Sequence, residues 1–389
     1  MHTADRIKQF RESVIREMTR MAMKYEAINL SQGFPDFDPP LALREAAAKA
    51  IMEGNNQYSP TWGYPPLRQK LAELYTERLG WSVNPAENVT VTCGVTESVN
   101  SAMLATLNPG DEILIIEPAH ENFIPSAIFA GAKPVPVPLE APGYRLDPER
   151  LERAVTSRTR ALLLNTPHNP TGRVFDSEEM GGLIEVVLRH DLIVITDEIY
   201  DHILFDGRQH TSPGSLEPLR DRTITIGGLG KTYAVTGWRL GYAVAPTPLS
   251  AAVRPVHDFL TVCAPTPLQV AAVTALNLPQ EYYDQMLADY HGRRDLMMGI
   301  LKEMGFVAPM PEGAYYVLAD FSKLPIPQAQ WDSTSFAKWM VKDIGVAVVP
   351  GVVFYSLPGY GDQSVRFAFP KKLETLRAAG ERMRHMGHM

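Results

Sequence analysis

"LIVITDEIYD", residues 192–201, holds four consecutive apolar residues, then Thr196, then the acid Asp197. A strand with one wet face alternates apolar and polar side chains, so four apolar residues in a row suit a strand buried on both faces. Six further runs also read as strands, several of them equally uninterrupted: "NVTVTCG" (88–94), "EILIIEP" (112–118), "KPVPVPL" (133–139), "RALLLNTP" (160–167), "TITIGGLG" (223–230) and "GYAVAP" (241–246). Helix-like segments such as "TESVNSAMLATL" (96–107) and "SEEMGGLIEVVLRH" (177–190) lie between several of them. That alternation predicts an α/β fold with a mostly parallel, seven-stranded sheet covered by helices on both sides.

Outward from this centre the texture changes. Residues 281–305 read as one long amphipathic helix, followed by "GAYYVLADF", "VAVVPG" and "SVRFAF", which read as strands of a second, smaller sheet. At the other end, Ile7, Phe10, Val14, Met18 and Met21 recur at helical steps and predict a single leading helix. "INLSQGFPDFDPP" (28–40) then reads as an irregular loop, and "LALREAAAKAIMEG" (41–54) as a helix ended by Gly54. The expected division is an N-terminal arm and part of the small domain (1–45), a large domain (46–285) and a small C-terminal domain (286–389). The terminal "RMRHMGHM" is expected to be a solvated tail.

Composition narrows the function classes. A net charge of −7 gives no basic face, so no nucleic-acid surface is expected. No apolar run reaches membrane-spanning length, and the N-terminal residues lack the apolar core of a signal peptide. Two cysteines, Cys93 and Cys263, form no disulfide or zinc pattern, which fits reduced thiols and a cytoplasmic location.

In open α/β sheets, ligands bind beyond the carboxyl ends of the strands, and the polar residues of this sequence collect there. After "TVTC", the amides of Val95 and Thr96 open a helix and could cradle a phosphate, or Thr96 or Thr92 could simply cap that helix. "NTPHNPTG" offers the amide of Asn169, or only a tight turn. Asp197 at the tip of an apolar run needs a cation or several donors, or it caps the next turn. Lys231 and Arg239 stand eight residues apart in "GGLGKTYAVTGWRLGY" with no acid between them. A desolvated lysine amine can serve as a nucleophile, and an arginine fork suits phosphate oxygens.

Taken together, these segments resemble the fold-type I pyridoxal-phosphate enzymes, specifically the class I/II aminotransferases. "QGFPDFDPP", "NQYSPTWGYPPLR", "EPAHENF", "NTPHNPTG", "TDEIYD", "GKTYAVTGWRLG", "EGAYYV" and "VRFAF" stand in the family's order and span nearly the whole chain. The likeness is strongest to the kynurenine/glutamine/methionine aminotransferase group. It implies a pyridoxal 5'-phosphate cofactor, amino-acid and 2-oxo-acid substrates, and a homodimer with shared active sites. Decarboxylation, β-elimination or oxidative cyclisation remain alternative outcomes on the same cofactor.

By this resemblance Lys231 matches the lysine that binds the cofactor aldehyde and shuttles the proton. Asp197 matches the partner of the ring nitrogen, while Asn169 and Tyr200 match donors to the ring oxygen. Arg239, with Val95 and Thr96, matches the phosphate site, and Tyr58 matches a tyrosine reaching the phosphate of the neighbouring subunit. Arg366 and Gly33 match the grip on the substrate carboxylate. Two positions depart from the pattern. A serine that often donates to the phosphate is replaced by Gly228, with Thr96 expected to compensate. The aromatic that stacks on the ring is replaced by His120, unless Phe123 lies nearer. Val262 and Cys263 stand where the closest group carries a Phe-His pair, so its substrate preference does not transfer.

Overall fold

The computed structural model describes residues 2–10 and 12–388. A short parallel pair joins the two chain ends: β1 (Ile28–Asn29) lies beside a strand near residue 346. The principal sheet is built from β2 (Val89–Thr92), β3 (Glu112–Glu117), β4 (Lys133–Pro138), β5 (Thr159–Asn165), β6 (Ile193–Asp197), β7 (Thr223–Gly228) and β8 (Gly241–Val244). Its spatial order is β2-β8-β7-β6-β5-β3-β4. Only β8 runs against the rest, pairing antiparallel with both β7 and β2. The seven expected strands are all present, and the sheet is mostly parallel.

Burial on both faces explains the uninterrupted apolar runs. Along β5, Ala161 and Leu163 enter one core, while Leu162 and Leu164 enter another on the opposite face. On β6, Ile195 joins the first core and Val194 the second. Each such residue, fully buried, contributes about 1.5–3 kcal/mol from its apolar surface.

The later strands form two small sheets instead of one. β9 (Tyr316–Asp320), β11 (Val349–Pro350) and β12 (Ser364–Ala368) make an antiparallel three-stranded sheet with β12 at its centre. β10 (Val346–Ala347) pairs instead with β1, so "VAVVPG" is divided between the two. The long helix Gln280–Met304 ends at Gly305, whose φ of 93° is a left-handed conformation suited to glycine. The expected divisions after residues 45 and 285 fall inside the helices Leu41–Met52 and Gln280–Met304.

Two readings need correction. The leading helix is broken: a short 3-10 turn, Asp5–Gln9, precedes extended backbone at Phe10, and the α-helix proper spans Val14–Lys24. The hydroxyl of Ser13 accepts from the Arg16 amide at 3.3 Å, and this cap, not the apolar stripe, sets where the helix starts. The C-terminal segment is not a solvated tail either. Met383 and Met386 are buried, and Arg382 donates to the carbonyls of Glu26 and Gly345 at 2.9 and 2.8 Å. Apolar methionines at helical spacing had found a core to enter.

Candidate active site

The strand register places the polar tips side by side. Asn165 pairs with Asp197 across β5 and β6, and Asp197 with Ile226 across β6 and β7. Lys231 follows three residues after the end of β7. These ends open into a cavity of about 860 Å³, solvent at its mouth included. Its wall holds Val95, Thr96, His120, Phe123, Asn169, Asp197, Tyr200, Lys231 and Arg239.

Asp197 is buried, and its side chain accepts one bond, from the Ile199 amide at 3.1 Å. The short turn it caps is therefore real, but one amide leaves the second carboxylate oxygen to the cavity. Burial raises its pKa to about 7, against the opposing Ile199 bond and the nearby Lys231 charge. The Lys231 amine donates to the Gly33 carbonyl at 3.1 Å and faces the rings of Tyr200 and Tyr315 at 5.7 and 5.6 Å.

The phosphate end is built from backbone. The helix Val95–Thr106 starts after Gly94 with no side-chain cap, so its first amides are free to bind an anion. Thr92 meets Ser98, and Thr96 accepts from the Asn122 amide at 3.3 Å, so neither threonine takes the capping role. Gly94 has φ of 82°, and a Cβ there would lie 2.6 Å from Arg239 Nη2, so the missing side chain makes room for the guanidinium. Arg239 is itself in the left-handed region, with φ of 55°.

Gly228 is explained by the same crowding. A Cβ on it would lie 2.7 Å from Ile199 Cδ1, 2.9 Å from Val95 Cγ2 and 3.1 Å from the Leu240 carbonyl oxygen. A side chain here is disfavoured by packing, because these neighbours would have to shift to admit it. Gly228→Ser is accordingly expected to destabilise the protein by about 1–3 kcal/mol. Thermal denaturation checks this; an unchanged midpoint would show that the strand pair can absorb the extra atoms.

Arg366, on β12, is 1% exposed. Nη1 donates to Asn169 Oδ1 at 3.1 Å and Nη2 to the Ser31 carbonyl at 2.6 Å, while buried Nε has no partner. The bond from Arg366 leaves Asn169 Nδ2 as a donor. Gly33 and Arg366 do not line the cavity wall but each bonds a residue that does. Gly33 allows no side chain, because a Cβ would lie 1.8 Å from Tyr316 Oη.

His120 and Phe123 both face the cavity, their rings 5.8 Å apart. Burial, then the Arg366 and Lys231 charges, push His120 down to about 3, so its ring is neutral near physiological pH. The Asn122 amide donates to Nδ1 at 3.3 Å, which leaves the proton on Nε2. Tyr58 is 81% exposed and lies outside the cavity wall, and Val262 is also exposed, with φ of 66°.

Several participants were not singled out from sequence. Tyr200 donates to the Tyr316 hydroxyl at 3.1 Å, and Tyr315 donates to the Gly33 carbonyl at 2.8 Å. Asn165 donates to the Asp197 carbonyl at 2.8 Å and accepts from the Asn169 amide at 2.8 Å. The tyrosine pair in "EGAYYV" and the first residue of "NTPHNP" were the available signals, each read only as strand or turn.

Comparison with known proteins gives this geometry its family. The family model "Aminotransferase class I and II" matches residues 25–382. The chain belongs to the class I and II aminotransferases. It is 36% identical to methionine aminotransferase of Escherichia coli strain K12, over 98% of this chain and 97% of the relative. It is 37% identical to human kynurenine–oxoglutarate transaminase 1, over 95% and 94% of the two chains. Among solved structures, N-succinyldiaminopimelate aminotransferase from Mycobacterium tuberculosis superposes with a TM-score of 0.95, at 36% identity over 99% of this chain and 100% of that one. The aminotransferase is an enzyme that uses pyridoxal phosphate to transaminate amino acids. No helix among its described residues is long and apolar enough to cross a membrane.

The residues present fit that cofactor. A buried carboxylate with one donor, an uncapped helix start beside an arginine, and a lysine amine share one cavity. Gly94, also in the wall, leaves room for the Arg239 guanidinium beside that helix start.

Proposed function

We propose that this aminotransferase takes an α-amino acid whose carboxylate is gripped by Arg366, with Lys231 as the proton carrier. Arg366 carries the reading. Among the described residues it is a fully buried arginine with no carboxylate partner and an unsatisfied Nε, which suits a ligand carboxylate that completes its fork. Bound pyridoxal phosphate would supply the aldehyde and the ring that accepts electrons from the Cα–H bond.

The chain's own groups then divide the work. Asp197 holds a proton on the ring nitrogen. Asn169 Nδ2 would donate to the ring oxygen, as would the Tyr200 hydroxyl once its proton turns from Tyr316, and Arg239 with the Val95 and Thr96 amides would hold the phosphate. Neutral His120, in the same wall, would pack against the ring. Lys231, its amine inside the cavity, would hold and move the proton released at substrate Cα. Gly33 brings backbone against the substrate carboxylate.

Arg366→Ala is expected to raise KM for amino acids by roughly 10²-fold, the scale for stranding a buried charge partner, while cofactor affinity stays within a few fold. Steady-state kinetics with a donor panel and an oxo-acid acceptor measure it; an unchanged KM refutes the carboxylate role. Turnover without an acceptor, releasing ammonia and an oxo acid, would favour β-elimination instead.

The same reading makes the enzyme a cytoplasmic homodimer with shared active sites. Tyr58 is exposed, and the adjoining Ser59 amide donates to Thr266 Oγ1 at 2.9 Å, next to the turn that follows exposed Phe259, Leu260 and Val262. Such apolar exposure supports a partner surface there. The amino donor stays unassigned, because relatives named for three different substrates match at 36–37% identity.

A further inference from the structure

Lys371 is a buried charge that the chemistry above does not use. It is 2% exposed, and its Nζ donates to the Phe34 carbonyl at 2.7 Å. The ammonium also lies 4.4 Å from the centre of the Phe34 ring. Burial brings its pKa down to about 8, although Asp36 opposes the shift. A lysine is rarely hidden without a carboxylate on its nitrogen, and here its contact is one backbone oxygen and one ring face.

The neighbours of Lys371 hold the same loop. The Lys372 amide donates to Asp36 Oδ1 at 2.6 Å, and Thr375 Oγ1 to Asp36 Oδ2 at 2.7 Å. Arg293 donates to the Lys371 carbonyl at 2.9 Å and lies 4.5 Å from the centre of the Phe37 ring. The other side of the loop enters the active site: the Ser31 carbonyl accepts from Arg366, and the Gly33 carbonyl accepts from Lys231 and Tyr315. One end of residues 31–37 therefore touches Lys231 and Arg366, and the other is fastened to the start of the helix Leu373–Met383.

We propose that Lys371 is a positioning residue for substrate binding, fixing the 31–37 loop so that Gly33 stands against the substrate carboxylate. It acts through the loop and touches neither substrate nor cofactor. This rests on the assignment of Arg366 and Gly33 to the carboxylate end. Because no Cβ fits at Gly33, a small loss of loop position changes how that end is walled.

The test uses the holoenzyme of Lys371→Met for kinetics and the cofactor-free protein for amide exchange. Loss of a charge-assisted bond predicts an increase in KM for amino acids of about tenfold or more. Turnover at saturation and cofactor affinity should stay near wild type, and deuterium exchange at the amides of residues 32–37 should rise. Lys371→Arg, which keeps a charged donor, should recover part of the KM. Unchanged exchange at residues 32–37 overturns the anchor, whatever Arg366→Ala does. Faster exchange with an unchanged KM overturns the positioning role. If KM and cofactor affinity worsen together by similar factors, Lys371 is only a stabiliser of the fold. Should Lys371→Met fail to fold, Asp36→Asn weakens the same fastening from a half-buried position and is expected to shift both measurements the same way.

Discussion

Replacing Lys231 with alanine is expected to lower turnover by roughly 10⁴-fold or more, the scale for deleting a group that acts in every chemical step. The side chain is half-buried, aimed from the end of β7 between the rings of Tyr200 and Tyr315, with the Gly33 carbonyl as its partner. On the proposed assignment alanine removes the covalent attachment point and the proton carrier at once, and nothing else in the cavity wall offers an amine. Borohydride treatment should fix the cofactor to a wild-type peptide containing Lys231 and leave the variant unlabelled. A labelled variant, or one with near-normal turnover, would place the chemistry on another residue.

Asp197→Asn is expected to have the second largest effect, lowering turnover by roughly 10²–10³-fold, the scale for removing one preorganised electrostatic partner. The same change should make the cofactor-free protein more stable at neutral pH. Folding raises the carboxyl pKa from 3.8 to about 7, chiefly by burial. The folded chain therefore binds this proton more tightly than the unfolded chain. Stability is lost as pH climbs from about 4 to about 7, and the loss is complete above that range. Asparagine carries no charge and escapes this penalty. Melting of cofactor-free proteins at pH 8 should favour Asp197→Asn, and at pH 4 the advantage should vanish. An equal melting point at both pH values would show that the carboxylate is not strained by burial. Lost activity with gained stability would mark a charge kept for its ligand.

Much of this was legible in the sequence because its signals are local. A strand buried on both faces is apolar along its length, so Asp197 stood out at the tip of its run, with Asn169 and Lys231 in the loops just beyond theirs. The breaks in local logic were less visible. The stripe from Ile7 to Met21 gave no warning that Ser13 would restart the helix, since a cap competes with periodicity through one hydroxyl. The methionines near residue 385 looked solvated because their core is supplied by distant segments. Lys371 and Asp36 lie 335 positions apart in sequence, and only the fold shows that one holds the loop of the other. Gly228 looked like a lost contact; in three dimensions it is a steric requirement.

That requirement is shared. Gly228 pairs with Gly241 across β7 and β8, and a Cβ on Gly241 would lie 2.5 Å from the Val95 amide nitrogen. Gly94 gives up its side chain to Arg239 just above. The three glycines are one constraint written at three distant places: two backbones and a guanidinium need the same few ångströms. Their crowding belongs to the place where β7 and β8 meet the helix Val95–Thr106, independent of which amino acid the enzyme accepts. A lineage could change its substrate freely while these positions stayed locked. Recovering a serine at 228 would press on Ile199, Val95 and the Leu240 carbonyl together.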